Sequence, residues 1–148
     1  MKVAVMGDAM KDEASIRTLL AFLHEELATV VGYRRALSRF SDANRADELR
    51  ACLASHERRI ATLEQRIRFL GGDPDAEDAG EIPAPALGVG DDAAIAALEE
   101  SEDRGLKHYL DDVCKLDRDT RTLVAREILP EQVRTYDSLS DLKLTRRL

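Results

Sequence analysis

The sequence predicts an all-α protein, a four-helix bundle built from two antiparallel hairpins. Aromatic residues make up only 4% of the 148 residues and charged residues 34%, a composition typical of helices with aliphatic cores and charged surfaces. Apolar residues recur at helical spacing in four separate stretches. A long segment rich in glycine and proline, which end helices, divides these stretches into two pairs. The length suits one domain with a single core.

The first helix is predicted from about Asp12 to Ser41. Its stripe steps by three and four residues, which places every member on one face: Ile16, Leu19, Leu23, Glu26, Val30, Tyr33, Leu37 and Phe40. Among these, Glu26 is a carboxylate on a face otherwise suited to a core. Residues 1–11 contain an apolar run too short for a signal peptide or a membrane span, and we expect them to form an N-terminal arm.

The second helix is predicted from about Ala43 to Leu70, after the turn and cap residues "SDAN". It ends at Gly71-Gly72, a strong signal for a helix C-terminus. Its stripe also carries one polar residue, His56: Leu49, Leu53, His56, Ile60, Leu63, Ile67 and Leu70. The arginines of "SHERRIATLEQRIR" are expected on the outer face, either as a solvated surface with ion pairs or as a helix–helix contact.

The linker between the hairpins, about residues 71–92, holds three of the four prolines, five of the eight glycines and seven acidic residues. A connection of this length is unusual inside a compact domain. It can run the length of the bundle, which predicts one long crossover, with the second hairpin starting where the first started. The alternative is a lid or a partner-binding loop.

The third helix is predicted from about Asp92 to Leu116, with Asp91 and Asp92 as N-terminal caps. Its stripe contains Ile95, Leu98, Glu102, Leu106, Tyr109, Val113 and Leu116. The fourth is predicted from about Asp119 to Leu142 on Ala125, Leu129, Gln132, Tyr136 and Leu139, with a kink or break at Pro130. The bundle thus covers residues 12–144, and residues 145–148 form a basic C-terminal tail.

A repeat relates the two hairpins at an offset of 76 residues. This offset maps Glu26 to Glu102, Tyr33 to Tyr109 and His56 to Gln132. Such a repeat predicts a pseudo-twofold axis between the hairpins. Each helix then contributes one polar residue to a layer at the bundle centre, namely Glu26, His56, Glu102 and Gln132, with Tyr33 and Tyr109 beside it.

A buried layer of this kind must be paired or neutralised, because an unpaired buried charge costs several kcal/mol. We expect Glu26 to accept a hydrogen bond from protonated His56, and Glu102 to bond the Gln132 amide or share a proton. On this interpretation, at least one carboxyl group has a pKa well above its ordinary value. The alternative is a single Fe, Mn or Zn ion held by Glu26, His56 and Glu102.

The order and spacing of several motifs resemble a bacterial ferritin-like family of unknown function over about residues 13–144. The motifs are "GYRRAL", "LEQRIRFLGGDP", "ALEESEDRGLKHYLDDV" and "ILPEQ". The resemblance implies a ferritin-like four-helix bundle, in which Glu26 and Glu102 match the glutamates of the first and third helices.

Ferritin-like di-iron proteins also carry Glu-x-x-His on the second and fourth helices. Here the second helix reads "LASH", with Leu53 at the glutamate position, and the fourth reads "LPEQ", with Leu129 and Gln132 at the two positions. The resemblance therefore implies a degenerate di-iron ligand set. His24 and His108 flank the stripes and are interpreted as boundary residues.

The net charge of −7 argues against nucleic acid or an anionic membrane as a partner. Two cysteines give no disulfide framework, and a cytoplasmic location is expected. The sequence favours a protein that has lost di-iron chemistry over an enzyme. We expect a structural or interaction module that holds no cofactor and can form a homodimer. The alternative is a protein with one Fe, Mn or Zn ion and a role in oxidative stress.

Overall fold

The computed structural model describes residues 2–76 and 82–145, and over these ranges the chain forms helices and no strand. The elements in chain order are α1 (Lys2–Leu37), α2 (Ala43–Phe69), α3 (Asp91–Asp112), a 3-10 turn (Val113–Lys115), α4 (Arg118–Leu123), a π-helical turn (Val124–Ile128) and α5 (Leu129–Thr145). The predicted all-α bundle is confirmed, with α4, the π turn and α5 together forming its fourth helix.

α1 begins at Lys2 instead of about Asp12 and ends at Leu37 instead of Ser41. No proline precedes Pro74 in the sequence, so nothing in the early residues forces a helix to start late. The division into arm, bundle and tail stays a prediction, and residues 1 and 146–148 lie outside the part of the chain that the structure describes.

The caps of α2 follow the sequence signals. The Asp42 carboxylate accepts hydrogen bonds from the backbone N–H groups of Asn44 and Arg45 at 3.0 and 3.2 Å, which satisfies donors that a helix start leaves free. At the other end Gly71 adopts a φ of 90°, and the Gly72 N–H donates to the Ile67 carbonyl at 2.8 Å. This left-handed glycine closes the helix as predicted.

α3 runs antiparallel to α1, because the linker joins opposite ends of the bundle. The Asp91 carboxylate accepts hydrogen bonds from the backbone N–H groups of Ser41 and Asp42 in the α1–α2 loop, at 3.0 Å each. Beyond α3, the Asp117 N–H donates to the Ser15 hydroxyl near the other end of α1, at 2.8 Å. The predicted long crossover is confirmed, but the expectation that the second hairpin starts where the first started is wrong. The prediction of Asp91 and Asp92 as N-terminal caps is also wrong, because Gly90 is the N-cap residue and both aspartates lie in the first turn.

The second half of the linker lies against the bundle. Leu87 is buried among core residues, and the Pro85 ring lies over Gly32 of α1. A Cβ atom at Gly32 would lie 2.5 Å from Pro85 Cγ and 2.9 Å from its Cδ, so only glycine leaves space for this crossing. Residues 77–81 are outside the described residues, and the lid or partner-binding role stays a prediction.

The fourth helix breaks just before Pro130, as the sequence predicts. The Leu129 N–H donates to the Val124 carbonyl, five residues earlier, which marks a π turn with one more residue than an α-turn. The turn allows an inward face with steps of four residues: Thr120, Val124, Ile128 and Gln132. Ala125 is exposed and Tyr136 only half-buried, so the predicted stripe is wrong at these two positions, and Val124 and Thr135 face inward instead.

Two apolar clusters fill the bundle. One contains Leu19, Leu23, Leu63, Ile67 and Val124, and the other contains Leu49, Ile95, Leu98 and Leu139. Tyr109 belongs to the first cluster and Tyr33 to the second, so the polar centre that these tyrosines contact lies between the two. Within the described ranges, none of the helices combines the length and the apolar character needed to cross a membrane.

Candidate functional site

The four polar residues predicted for the central layer lie together and are buried. His56 bridges the two carboxylates, with Nδ1 at 2.6 Å from Glu26 Oε2 and Nε2 at 2.5 Å from Glu102 Oε1. The Gln132 amide Nε2 donates to Glu102 Oε2 at 3.0 Å and to the Glu102 backbone carbonyl at 2.8 Å. Each of the four is at most 4% exposed, so their contacts form inside the protein rather than at its surface.

The two tyrosines reach across the pseudo-twofold axis. The Tyr33 hydroxyl on α1 donates to Glu102 Oε1 on α3 at 2.6 Å, and the Tyr109 hydroxyl on α3 donates to Glu26 Oε1 on α1 at 2.7 Å. The 76-residue offset maps the residues of one of these hydrogen bonds onto the residues of the other. Burial, followed by the charge of the neighbouring glutamate, raises the pKa of both tyrosines well above its ordinary value. Both phenols therefore remain neutral hydrogen-bond donors.

A fifth charged residue, Arg59, completes the centre. Its side chain is among the largest fully buried ones in the described ranges, and its Nη1 donates to Glu26 Oε1 at 3.3 Å and to Gln132 Oε1. The sequence interpretation placed this arginine on the outer face, which is wrong. The face of α2 that points inward is Leu49, Cys52, His56, Arg59, Leu63 and Ile67, and it steps as regularly as the stripe through Leu53 and Ile60.

The network is electrically balanced. Burial alone would lower the pKa of His56, but the charges of Glu26 and Glu102 and its hydrogen bonds to them raise it to about 9. His56 is therefore protonated at neutral pH, and Arg59 carries a permanent positive charge. Two cations thus face two carboxylates in a buried site.

The pKa values of the two carboxyl groups are shifted in the opposite direction from the one expected. Burial alone would raise the pKa of Glu26, but His56, Arg59 and the Tyr109 hydroxyl together bring it below its ordinary value. The pKa of Glu102 is also lowered, since His56, Tyr33 and Thr135 outweigh the effect of burial. The prediction of a carboxyl group with a raised pKa is wrong, because His56, which contacts both carboxylates, is the largest of the interactions that outweigh their burial.

A narrow cleft between α1 and α3 leads toward this network. It is lined by residues of both helices, with His56 and Gln132 at its floor: Phe22, Glu25, Glu26, Thr29, Ser101, Gly105, His108 and Tyr109. A Cβ atom at Gly105 would lie 2.9 Å from Gln132 Nε2, so a larger residue there would force the Gln132 amide to shift. Near the surface His108 contacts Glu25 through Nδ1 and lies 3.2 Å from Asp112 Oδ2 through Nε2.

The arrangement of the helices matches a solved structure. A protein described as a ferritin-like, diiron-carboxylate protein from Bacillus anthracis str. Ames aligns with a TM-score of 0.74 at 15% sequence identity, covering 90% of this chain and 97% of that chain. The chain has the ferritin-like fold. No protein-family model and no curated protein matches the sequence of this ferritin-like bundle.

The residues present do not fit a di-iron centre. Such a centre in a ferritin-like bundle uses a glutamate from each of two helices and Glu-x-x-His from each of the other two. The glutamate positions of the two Glu-x-x-His motifs carry Leu53 and Leu129, which pack against the apolar clusters. Both nitrogens of His56 contact carboxylates, and Arg59 adds a fixed positive charge. Among the residues that the structure describes, no three His, Cys, Asp or Glu side chains are grouped to hold a metal ion.

The sequence contained a signal for the residues that the prediction missed. The 76-residue offset that relates Glu26 to Glu102 also relates Ser55 to Glu131 and Arg59 to Thr135. Both pairs are in contact, with the Ser55 hydroxyl 2.7 Å from Glu131 Oε2 and Arg59 Nη2 2.8 Å from Thr135 Oγ1. Extending the repeat beyond the apolar stripe relates these four positions to one another, but it does not show that Arg59 is buried.

Proposed function

We propose that this ferritin-like bundle has lost di-iron chemistry and acts as a structural or interaction module whose centre is held by an ion network without metal. The observation that supports this most directly is the bridging position of His56. A metal at this site would need a lone pair of this imidazole, but the two ring nitrogens face the two carboxylates at 2.6 and 2.5 Å. Both nitrogens of the only histidine at the centre are thus occupied by the two glutamates that would share the metal with it.

The alternative is a single Fe, Mn or Zn ion held by Glu26, His56 and Glu102, in a protein with a role in oxidative stress. Its support is that His56 contacts both glutamates and that the three side chains are the right donor types for these metals. Binding would require His56 to lose a proton, although its pKa of about 9 favours the protonated form at neutral pH. Metal affinity would therefore be opposed by proton competition.

Metal loading separates the two functions. Protein purified without chelator, then dialysed against Fe(II), Mn(II) or Zn(II) and desalted, should retain less than about a tenth of an equivalent, because no deprotonated imidazole is free to bind. The measurement is elemental analysis of the native protein beside a His56→Ala control. About one equivalent in the native protein, lost in the control, would establish the single-metal function instead.

Self-association is the second part of the proposal. Leu27 and Val31 lie one turn apart on α1 and are 44% and 38% exposed, and a helix–helix contact of a homodimer would bury such residues. We also propose a cytoplasmic location and no nucleic-acid partner. The unpaired state of Cys52 and Cys114 suits a reducing compartment, and the net charge of −7 would repel a polyanion.

Light scattering over a dilution series tests the homodimer. We expect a mass that rises toward twice 16.5 kDa with concentration, and a Leu27→Glu variant that stays at the monomer mass because a charge at the contact opposes burial. Leu110→Glu, which changes another exposed leucine on α3 (57% exposed), is the matched control. A native protein that remains monomeric at the highest concentration would exclude the homodimer.

A further inference from the structure

The Arg59 head group lies inside a shell of oxygen atoms that uses each of its nitrogens. Nε donates to the Ser55 hydroxyl at 3.3 Å. Nη1 donates to Glu26 Oε1 at 3.3 Å and to Gln132 Oε1. Nη2 donates to the Ser55 hydroxyl at 3.0 Å, the Glu131 carbonyl at 3.2 Å and the Thr135 hydroxyl at 2.8 Å. These acceptors come from α1, α2 and α5, so the shell is built by the packed bundle.

The chemistry of the shell selects a planar monovalent cation. One acceptor is a carboxylate, while the others are hydroxyl, amide and backbone carbonyl oxygens, which suit a delocalised charge with several donors. Thr135 also donates to Glu102 Oε2 at 2.7 Å. Its hydroxyl group therefore accepts from Arg59 and donates to the second carboxylate, which links the two. A compact ammonium group cannot direct donors along all of these lines.

We infer that the centre of the bundle contains a guanidinium-binding site, which the chain fills with its own Arg59. This inference rests on the proposed function, because a tethered organic cation in the network leaves no role there for a metal ion. It also goes beyond the proposed function, since it names the class of ligand that the oxygen shell around Arg59 accepts. Arg59 is then a positioning residue that holds α1 and α5 against α2.

Removing the head group while keeping the shell is the direct test. We expect Arg59→Ala to lower the melting temperature by about 10 °C, since it leaves buried acceptors without a donor and two carboxylates facing the single cation His56. About 10 mM guanidinium chloride, far below denaturing concentrations, should recover at least about half of the loss by binding the folded state. The same concentrations of urea, which has the shape without the charge, and of sodium chloride should recover none.

Two further variants keep the outcome interpretable. Arg59→Lys keeps the charge but loses the planar arrangement of donors. Its melting temperature should remain closer to that of Arg59→Ala than to that of the native protein. Arg66→Ala is the matched control, because Arg66 lies on the same helix and its Nε donates to the Thr120 hydroxyl at 2.9 Å, but its side chain is 17% exposed. Any decrease in the melting temperature of Arg66→Ala should not be recovered by guanidinium. If Arg59→Ala does not fold alone, the yield of refolded protein with guanidinium against urea gives the same comparison.

The inference is overturned if guanidinium restores Arg59→Ala no better than urea does. It is also overturned if Co(II) stabilises Arg59→Ala and guanidinium does not, because the cavity would then be a metal site covered by an arginine. The proposed function fails separately, through metal uptake by the native protein. A native protein that takes up no metal, together with an unrescued variant, would therefore contradict the guanidinium site alone.

Discussion

Glu26→Leu will destabilise the protein by about 3–5 kcal/mol, because it removes one member of a buried ion network and leaves the others unpaired. The substitution takes the acceptor from His56 Nδ1 at 2.6 Å, from Arg59 Nη1 at 3.3 Å and from the Tyr109 hydroxyl at 2.7 Å. Two positive charges would then face a single carboxylate in a buried site. Denaturant unfolding at pH 6 measures the change in the free energy of unfolding.

Glu25 supplies a matched control one residue away. Its side chain is 24% exposed and contacts His108 at the mouth of the cleft, so Glu25→Leu should change the free energy of unfolding by less than about 1 kcal/mol. Glu26→Gln, which keeps the shape and one acceptor but loses the charge, should fall between the two leucine variants. If Glu26→Leu were as stable as the native protein or more so, the network would contribute nothing to the fold.

The free energy of unfolding will fall by about 3 kcal/mol as the pH rises from 6.5 toward 9. The pKa of His56 is raised from 6.5 to about 9 in the folded protein, and each unit of difference corresponds to about 1.4 kcal/mol. A raised pKa stabilises the fold fully below the unfolded value of 6.5, and this stabilisation is lost as the pH rises through the folded value. The lowered pKa values of Glu26 and Glu102, from 4.5, act in reverse, with stabilisation present above pH 4.5 and lost on acidification.

The expected profile therefore has its maximum between about pH 4.5 and 6.5, set by these shifts. Urea unfolding across pH 4 to 9 in the native protein and in His56→Gln measures it. The variant should be much less stable at pH 6 and approach the native protein near pH 9. His108→Gln is the control for the half-exposed histidine, whose pKa is also raised, mainly by its hydrogen bond to Glu25. Parallel curves for the native protein and His56→Gln would mean that His56 does not titrate as described.

The sequence was sufficient to predict the helices and the polar centre, because both follow from periodicity. Glu26 and Glu102 stand out as carboxylates at positions where a core residue is expected, and the 76-residue offset maps Glu26 to Glu102 and Tyr33 to Tyr109. The crossed contacts of Tyr33 with Glu102 and of Tyr109 with Glu26, at 2.6 and 2.7 Å, agree with the predicted pseudo-twofold axis between the hairpins.

Arg59 could not be predicted in the same way, because periodicity defines a helix face only to within one residue. The stripe through Ile60 and the stripe through Arg59 have equal regularity, and a charged side chain is rarely fully buried. The choice depends on acceptors from α1 and α5, which are distant in sequence. The same holds for Thr135, whose position is fixed by the π turn at Val124–Ile128, a local change of helix period that composition does not reveal.

The exchanged tyrosine bonds have a consequence for how the chain folds. Neither hairpin supplies the acceptor for its own tyrosine, since Tyr33 donates to Glu102 and Tyr109 donates to Glu26. An isolated hairpin would hold a phenol on its apolar face with no acceptor for the hydroxyl group. The two halves are therefore obligate complements, and the chain is built to fold and unfold as one cooperative unit rather than as two separable pieces.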